Sequence, residues 1–578
     1  MGESVRALIV LVVAVFIVHG GALDDPFHYD DHHSLVNNSA ARDLGNAVGF
    51  FGNPQLFSES PTRAMYRPLV LLSYAVNAAV AGDGPAGFHV VNLILHALSG
   101  WMLWLLARAM FSVSAGWVAG LLFVLHPLAA EPAIYISARS ESLALIFALW
   151  SVLAFRRERG ALSAAMFALA LLAKSTAIVT PAVIFCLDRA APGNQRRRTR
   201  LARWTPFLVV VLAYVLGTGR LIGRSLGAGR PRGPGEQFWV TLEAWAYQLR
   251  LFVVPHPLSV EHPLPASPSA GPVDVLVLMA GLSLVAVIAA ASPKRVIWLC
   301  LAAILPLLPP SVIPLNAVVS EHRLYSTVAL ASLAVSGASV WVGGWRRAGI
   351  RVLLVLLLFF AGLDRRRDQA WSAEIRLWRS AIEVAPQNAR AQFFLADVYR
   401  RQGQAEPALK AFARADSLSG GATDIRLSHA AQLLDLGRTA EARELLEPLL
   451  AQSPGEPALF YNLGLAVKEI DPGRAEGLFQ QALTLRPDLR DGAMELALLQ
   501  DARGASGQAG RTLESSLHQS PVWVEAWVNL GFFRIRDGDA RGARVAWTRA
   551  LELSPELQVV RDNIRALDSL EAAGAARR

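Results

Sequence analysis

The sequence predicts an all-α chain in two parts, a polytopic membrane bundle of about eleven helices over residues 1–363 and an α-solenoid of helical repeats behind it. Three observations carry this expectation. The 578 residues are 53% hydrophobic and 17% charged, whereas about one quarter is usual for soluble domains. Nearly all of the apolar excess lies before Leu363, after which charged residues return at ordinary density. Beyond Ala389, small and turn-forming residues recur with a period of about 34 positions.

Apolar runs long enough to cross about 30 Å of hydrocarbon fall near 5–22, 87–107, 115–131, 141–155, 160–173 and 175–188. Further runs fall near 204–219, 272–291, 296–314, 324–343 and 349–363. The first has the brief core of a signal peptide followed by Gly20-Gly21-Ala22. We read it as an uncleaved helix, because the best site motif lies just beyond it. The stretch 238–254 carries Glu243, Gln248 and Arg250 and is read as interfacial; if it spans, the count becomes twelve. Positive charge decides for eleven. With a cytoplasmic N-terminus the inner loops then hold Arg108, Arg156–Arg157, Arg196–Arg198, Lys294–Arg295 and Arg346–Arg347, as the positive-inside rule requires. Arg220, Arg224, Arg230, Arg232 and Arg365–Arg367 go against it.

The net charge of +9 is dispersed among these loops and forms no single basic patch, so no nucleic-acid partner is expected. Cys186 and Cys300 both lie in apolar runs, which implies neither a disulfide framework nor a cysteine metal site. The Ala, Gly and Arg bias points to an integral protein of a bacterial inner membrane.

In the C-terminal part the period identifies tetratricopeptide repeats. The small residue that lets paired helices approach is Ala396, Ala430, Gly464, Ala497 and Gly531 in successive repeats. Turn glycines follow at Gly403, Gly437, Gly504 and Gly538, with Asp471-Pro472 in the third repeat. The second small position is Ala408, Ala442, Ala475, Ala509 and Ala543, and closing prolines are Pro454, Pro487, Pro521 and Pro555. The expected organisation is a membrane domain over 1–363, a linker with a capping helix over 364–388, repeats at 389–422, 423–456, 457–489, 490–523 and 524–557, and a tail to 578. Stacked repeats expose a groove that binds peptides or proteins; a rigid spacer is the alternative. The topology holds the repeats outside the cytoplasm.

Polar residues of the membrane part gather in the expected outer loops. The first loop reads LDDPFHYDDHH, with Asp30 and Asp31 adjacent and followed by His32 and His33. Adjacent carboxylates suit general-base work, since each raises the other's pKa. A solvated acidic loop is the plainer alternative, and it suits Asp24 and Asp25 better. Tyr66 and Arg67 follow in YRPL; His89, Asn92 and His96 then share one helix face. Later loops present His126, Glu131, Arg139, Glu141 and Lys174, then His256, Glu261 and His262, then Glu321, His322, Arg323 and Tyr325. Arg139, Lys174 and Arg323 could meet at one surface and grip a phosphate as a leaving group, with Arg67 and His126 as further candidates. His126 and Glu131 lack metal-ligand spacing, so no metal is predicted, although a divalent ion stays open.

Taken in order, YDDHH, YRPL, FHVVNLILHAL, LHPLAAE, SARSE, PHPLSVEH, PLNAVVSEHRLY and the repeats resemble the transmembrane and tetratricopeptide-repeat-containing protein O-mannosyltransferases and their bacterial relatives. The resemblance implies a C-type glycosyltransferase fold, a polyprenyl-phosphate sugar donor (usually of mannose), inversion at the sugar carbon and a protein Ser/Thr acceptor presented by the repeats. There are two departures: Ala173-Lys174-Ser175 stands where such enzymes commonly read SKE, and Glu321-His322-Arg323-Leu324-Tyr325 stands for ER-LY. The reading is then an inverting membrane glycosyltransferase. Asp31, slightly preferred over Asp30, deprotonates the acceptor; Arg139, Lys174, Arg323, Arg67 and His126 hold the donor phosphate. Glu131, Glu141, His256, Glu321, His322, Tyr325 and His89 complete the candidate set. The alternative from another class is a non-catalytic, membrane-anchored repeat scaffold for envelope assembly.

Overall fold

The computed structural model describes residues 2–59, 65–191, 203–227, 233–262, 295–312, 318–341 and 347–576, and every regular element among them is helical. The chain forms two compact units, Met1–Ala391 and Gln392–Arg578.

In the first unit, α1 (Glu3–His19) is followed by the site loop, and then come α2 (Pro68–Ala81), α3 (Pro85–Met110) and α4 (Val113–Val124). Both α2 and α3 begin on a proline at their first turn, where the missing N–H costs nothing. The apolar run 115–131 is not one helix. After α4 the chain turns by 68° into Pro127–Ile134, because Pro127 can neither donate to nor fit within a continuing helix. Next come α5 (Arg139–Arg156), α6 (Gly160–Ala173), α7 (Thr180–Ala190), α8 (Thr205–Gly227) and α9 (Pro234–Val253). The unit closes with α10 (Arg295–Ile304), α11 (Tyr325–Trp341), α12 (Arg347–Trp371) and α13 (Glu374–Val384).

Four helices among the described residues are long and apolar enough to cross a membrane, or five if the bent pair is one span, which makes this a membrane protein. α2, α6 and the first part of α8 are apolar but shorter. The expected run 272–291 and the charges at 196–200, 230, 232 and 294 lie outside the described residues.

Close backbone approach organises the bundle. A Cβ on Gly100 of α3 would come within 2.3 Å of Val124 at the end of α4, so only glycine fits at that contact. Around it, Leu11, Trp104, Phe123, Phe167, Tyr325 and Trp371 belong to one buried apolar core.

α12 does not end at Leu363. It continues through Arg365–Arg367 to Trp371, because its inward polar groups find partners in the bundle: Arg367 pairs with Glu321 at 2.7 Å and Asp368 with His19 at 3.1 Å. These contacts bring the end of α12, the end of α1 and the loop before α11 to one end of the bundle. Glu3 and Arg108 meet at 3.9 Å at the other end of α1 and α3.

The second unit is a succession of helix pairs: Ala405–Ser419 behind Ala389–Arg401, Thr439–Leu446 behind Thr423–Asp435, Pro472–Leu485 behind Pro457–Val467. Ser506–Gln519 behind Arg490–Ala502 and Ala540–Leu553 behind Val524–Arg536 continue it, and Gln558–Ala576 ends it. The chain reverses at Gly403, Gly437, Gly504 and Gly538, with φ between 71° and 83°, a conformation that glycine adopts without strain. At the close-approach positions Ala396, Ala430 and Ala497 are fully buried, and a Cβ on Gly464 would meet Phe479 at 2.6 Å.

Candidate functional site

Asp30 and Asp31 sit at the start of a short helical turn between α1 and α2, and their surroundings differ. Asp31 is buried, and both of its oxygens are occupied. Oδ1 accepts the Ser137 N–H at 2.8 Å and the Ser137 hydroxyl at 2.5 Å, and Oδ2 accepts the His28 N–H at 3.0 Å. Burial pushes its carboxyl up to about 7, with Asp30 adding to the rise and the three donors opposing it. The Asp30 side chain is 42% exposed and lies 3.2 Å from His33 Nε2; its own N–H donates to the Tyr135 hydroxyl at 3.2 Å. Asp30 is thus the more exposed of the two carboxylates, and Asp31 ties its loop to the Ser137 turn.

A pH prediction follows. The folded chain keeps the Asp31 proton over an interval in which the unfolded chain has already lost it, so this group's contribution to stability falls as pH rises from about 4 to about 7. Asp31→Asn should flatten that part of the melting-temperature profile, measured on detergent-solubilised protein. An unchanged slope would refute it.

The cations separate into two kinds. Arg139 is fully buried, and its guanidinium is spent within the bundle. It donates to Asn92 Oδ1 at 2.7 Å, Asn77 Oδ1 at 3.0 Å, the Phe88 carbonyl at 2.9 Å and the Ser73 carbonyl at 3.3 Å, and lies over the Tyr74 ring at 4.9 Å. It cross-links α2, α3 and α5, so its guanidinium is engaged by the bundle rather than presented at an opening. His126 is engaged in the same way: Nδ1 accepts the Leu128 N–H at 3.2 Å, Nε2 faces the Phe252 carbonyl at 3.3 Å, and the ring stacks on Phe252 at 5.2 Å.

Lys174, Arg67 and Arg323 do converge, lying within electrostatic reach of one another. Lys174 pairs with Glu141, so the carboxylate missing beside this lysine in the chain is supplied from SARSE. Arg67 donates to Ser140 at 3.4 Å and covers the Phe57 ring at 5.5 Å.

Arg323 borders two openings. One is an apolar groove lined by Leu145, Leu149, Val152, Val183, Pro306 and Leu330, with Glu141 and Arg323 as its charged residues. The other is of mixed character, with Gln237, Thr241, Gln248 and Ser311 beside Ala244, Trp245, Leu307 and Val318. Pro310 and Arg323 are common to both.

The other candidates brace this loop end. Glu131 accepts the His322 N–H at 3.0 Å and faces its Nδ1 at 3.0 Å. Glu321 is buried, accepting the Ser259 N–H at 2.6 Å beside His262 at 3.1 Å. Tyr325 is buried against His96 at 2.8 Å, and His89 is buried within α3. His256 is exposed on the segment after α9 and is not gathered with the others. Among the described residues no group of three or more His, Cys, Asp or Glu is arranged to hold a metal ion.

No family model matches the chain. Curated relatives do. The protein O-mannosyl-transferase TMTC3 of Homo sapiens is 22% identical over 96% of this chain and 68% of its own length. Tmtc1 of Drosophila melanogaster is 33% identical over 30% of this chain and 21% of its own. The similarity is to the protein O-mannosyl-transferases. The chain spans between about a fifth and about two thirds of the length of these relatives. Among solved structures, the type IV pilus biogenesis factor PilW is 18% identical over 38% of this chain and 100% of that one, with a TM-score of 0.31. The tetratricopeptide-repeat protein YrrB is 18% identical over 32% and 97%, with a TM-score of 0.28.

Two participants escape sequence reasoning. Ser137 opens the SARSE string, whose charged residues alone drew notice, and only the fold brings it onto Asp31. Glu374 lies in EIRLWRS, whose helical period marks an amphipathic helix and nothing about the distant loop that its carboxylate touches.

Proposed function

We propose that the chain is an inverting membrane glycosyltransferase that moves mannose from a polyprenyl-phosphate donor to a Ser or Thr hydroxyl of an extracytoplasmic protein. The observation that carries this reading is the meeting at Arg323 of an apolar groove and a second opening that presents Gln237, Thr241, Gln248 and Ser311, with Lys174 and Arg67 close by. A lipid-linked phosphosugar has the same sequence of chemistries: a hydrocarbon tail, an anionic phosphate and a hydroxylated ring. On this reading the tail lies along Leu145, Leu149 and Val183, the cations hold the phosphate, and the pocket at Gln237, Trp245 and Gln248 takes the sugar.

The chemistry needs no redox partner. Asp30 takes the proton of the acceptor hydroxyl as its oxygen bonds to the anomeric carbon from the face opposite the phosphate. The bond from that carbon to the phosphate oxygen breaks, and the electron pair leaves on the lipid phosphate. The cations favour this by stabilising charge that grows on the leaving group. The names of the relatives support a protein acceptor, and the helix pairs of the second unit suit the binding of an extended peptide. Incubating the purified full chain with radiolabelled polyprenyl-phosphate mannose and membrane proteins tests the reading. Label should appear in protein; label confined to lipid or glycan would change the acceptor, and none in any product would refute transfer.

We also propose an odd number of crossings, with the repeats extracytoplasmic. Ion pairs that join the end of α12 to the end of α1 and to Glu321 support this, because both helix ends then open on one side. Charge in the inner loops supports eleven. A reporter fused at the C-terminus is expected to be active only outside the cytoplasm. Cytoplasmic activity would move Glu321 and Arg323 to the side opposite any outer acceptor and sink the site.

A further inference from the structure

Tyr29 directly precedes the paired carboxylates and has a φ of 49°, a left-handed conformation that bulky residues adopt only when the surroundings hold them there. This turn decides where Asp30 and Asp31 face. The groups that hold it come from some 340 residues further along the chain. Glu374, the first residue of α13, accepts the Tyr29 N–H through Oε1 at 2.7 Å, and the same oxygen lies 3.3 Å from His32 Nε2. One carboxylate thus grips the loop on both sides of Asp30–Asp31.

Neighbours complete the grip. The Tyr29 ring meets Trp378 edge-on at 5.4 Å. Its hydroxyl oxygen accepts from Arg390 Nη2 at 3.3 Å, and Arg390 Nε reaches Glu261 at 3.1 Å. Trp371 lies 4.9 Å from the ring of Tyr135, the residue whose hydroxyl accepts the Asp30 N–H.

We propose that Glu374 is a positioning residue for the Asp30–Asp31 loop, its carboxylate fixing the left-handed turn at Tyr29 and thereby the direction in which Asp30 meets the acceptor hydroxyl. The inference rests on the transferase reading for its consequence in rate, though not for the contact itself. A residue that only docked 364–391 on the bundle would affect how much protein folds, and not the rate per folded molecule.

The test uses the full chain and two readouts. In Glu374→Ala, amide exchange of the peptide spanning residues 28–32 is expected to quicken, with the rest of the bundle as protected as before. The kcat per folded molecule should fall about tenfold to a hundredfold, the usual consequence of a misaimed catalytic group, while KM for the lipid donor holds, since the contacts of Glu374 to Tyr29 and His32 act on the carboxylate loop. Glu374→Gln keeps an oxygen for the Tyr29 N–H and should recover much of both losses. Unchanged exchange at 28–32 in Glu374→Ala would overturn the proposal, and so would an unchanged kcat. If the wild-type chain transfers no sugar at all, the functional reading fails, while exchange at 28–32 still decides whether Glu374 fixes the turn.

Discussion

Asp30→Asn is expected to lower mannosyl transfer by about 10²–10⁴-fold, the usual cost of losing a general base. The substitution is nearly isosteric and falls on a side chain that is 42% exposed, so insertion and folding should be preserved. Asparagine has no basic lone pair with which to take the acceptor proton, so kcat should fall while the lipid donor still binds. Asp31→Asn is a different experiment. Its amide would present N–H groups toward donors that now meet a carboxylate, the His28 N–H or the Ser137 N–H and hydroxyl. It should disturb the loop and cost less in rate than Asp30→Asn. Transfer from labelled lipid donor, normalised to folded protein, checks both. Wild-type turnover in Asp30→Asn would remove the base from the mechanism. If both variants also complemented a deletion strain in full, while a chain lacking residues 389–555 did not, the scaffold reading would replace the transferase.

Arg323→Ala is expected to reduce transfer about a hundredfold or more, since one well-placed electrostatic contact to a developing anion is typically worth that much. The loss should appear in kcat as well as in donor affinity, because charge on the phosphate grows as the glycosidic bond breaks. Arg323→Lys should restore part of it. Lys174 needs more care, because Lys174→Ala would leave Glu141 buried beside no cation, and an unpaired buried charge destabilises a fold in its own right. Lys174→Met combined with Glu141→Gln removes both charges together and isolates the effect on phosphate. Wild-type turnover in Arg323→Ala would reduce this residue to an anchor between two openings.

The legible part of the site was the part written in adjacent letters. Asp30–Asp31, the SARSE string and Lys174 stand out because carboxylates and cations are costly beside membrane helices. Which of them faces a ligand was not legible. Arg139 and His126 have the residue types of phosphate ligands, yet Arg139 is met by α2 and α3, and His126 by α9 and the turn at Leu128. Glu141 shows the converse, since Lys174 lacks an acidic neighbour in the chain and has one in space.

By itself the sequence determined that this is a two-part helical protein, with apolar helices before Leu363 and paired helices in register after Ala389. Hydropathy and the spacing of glycine and alanine are local properties, and they act within a helix or across one turn. Only the tertiary structure decided that α12 runs on to Trp371, that Asp31 is an anchor while Asp30 is more exposed, and that Glu374 holds Tyr29. Those outcomes depend on which buried polar group meets which partner from another element of the fold. A buried charge must find such a partner to be tolerated, and no local pattern records where that partner will be.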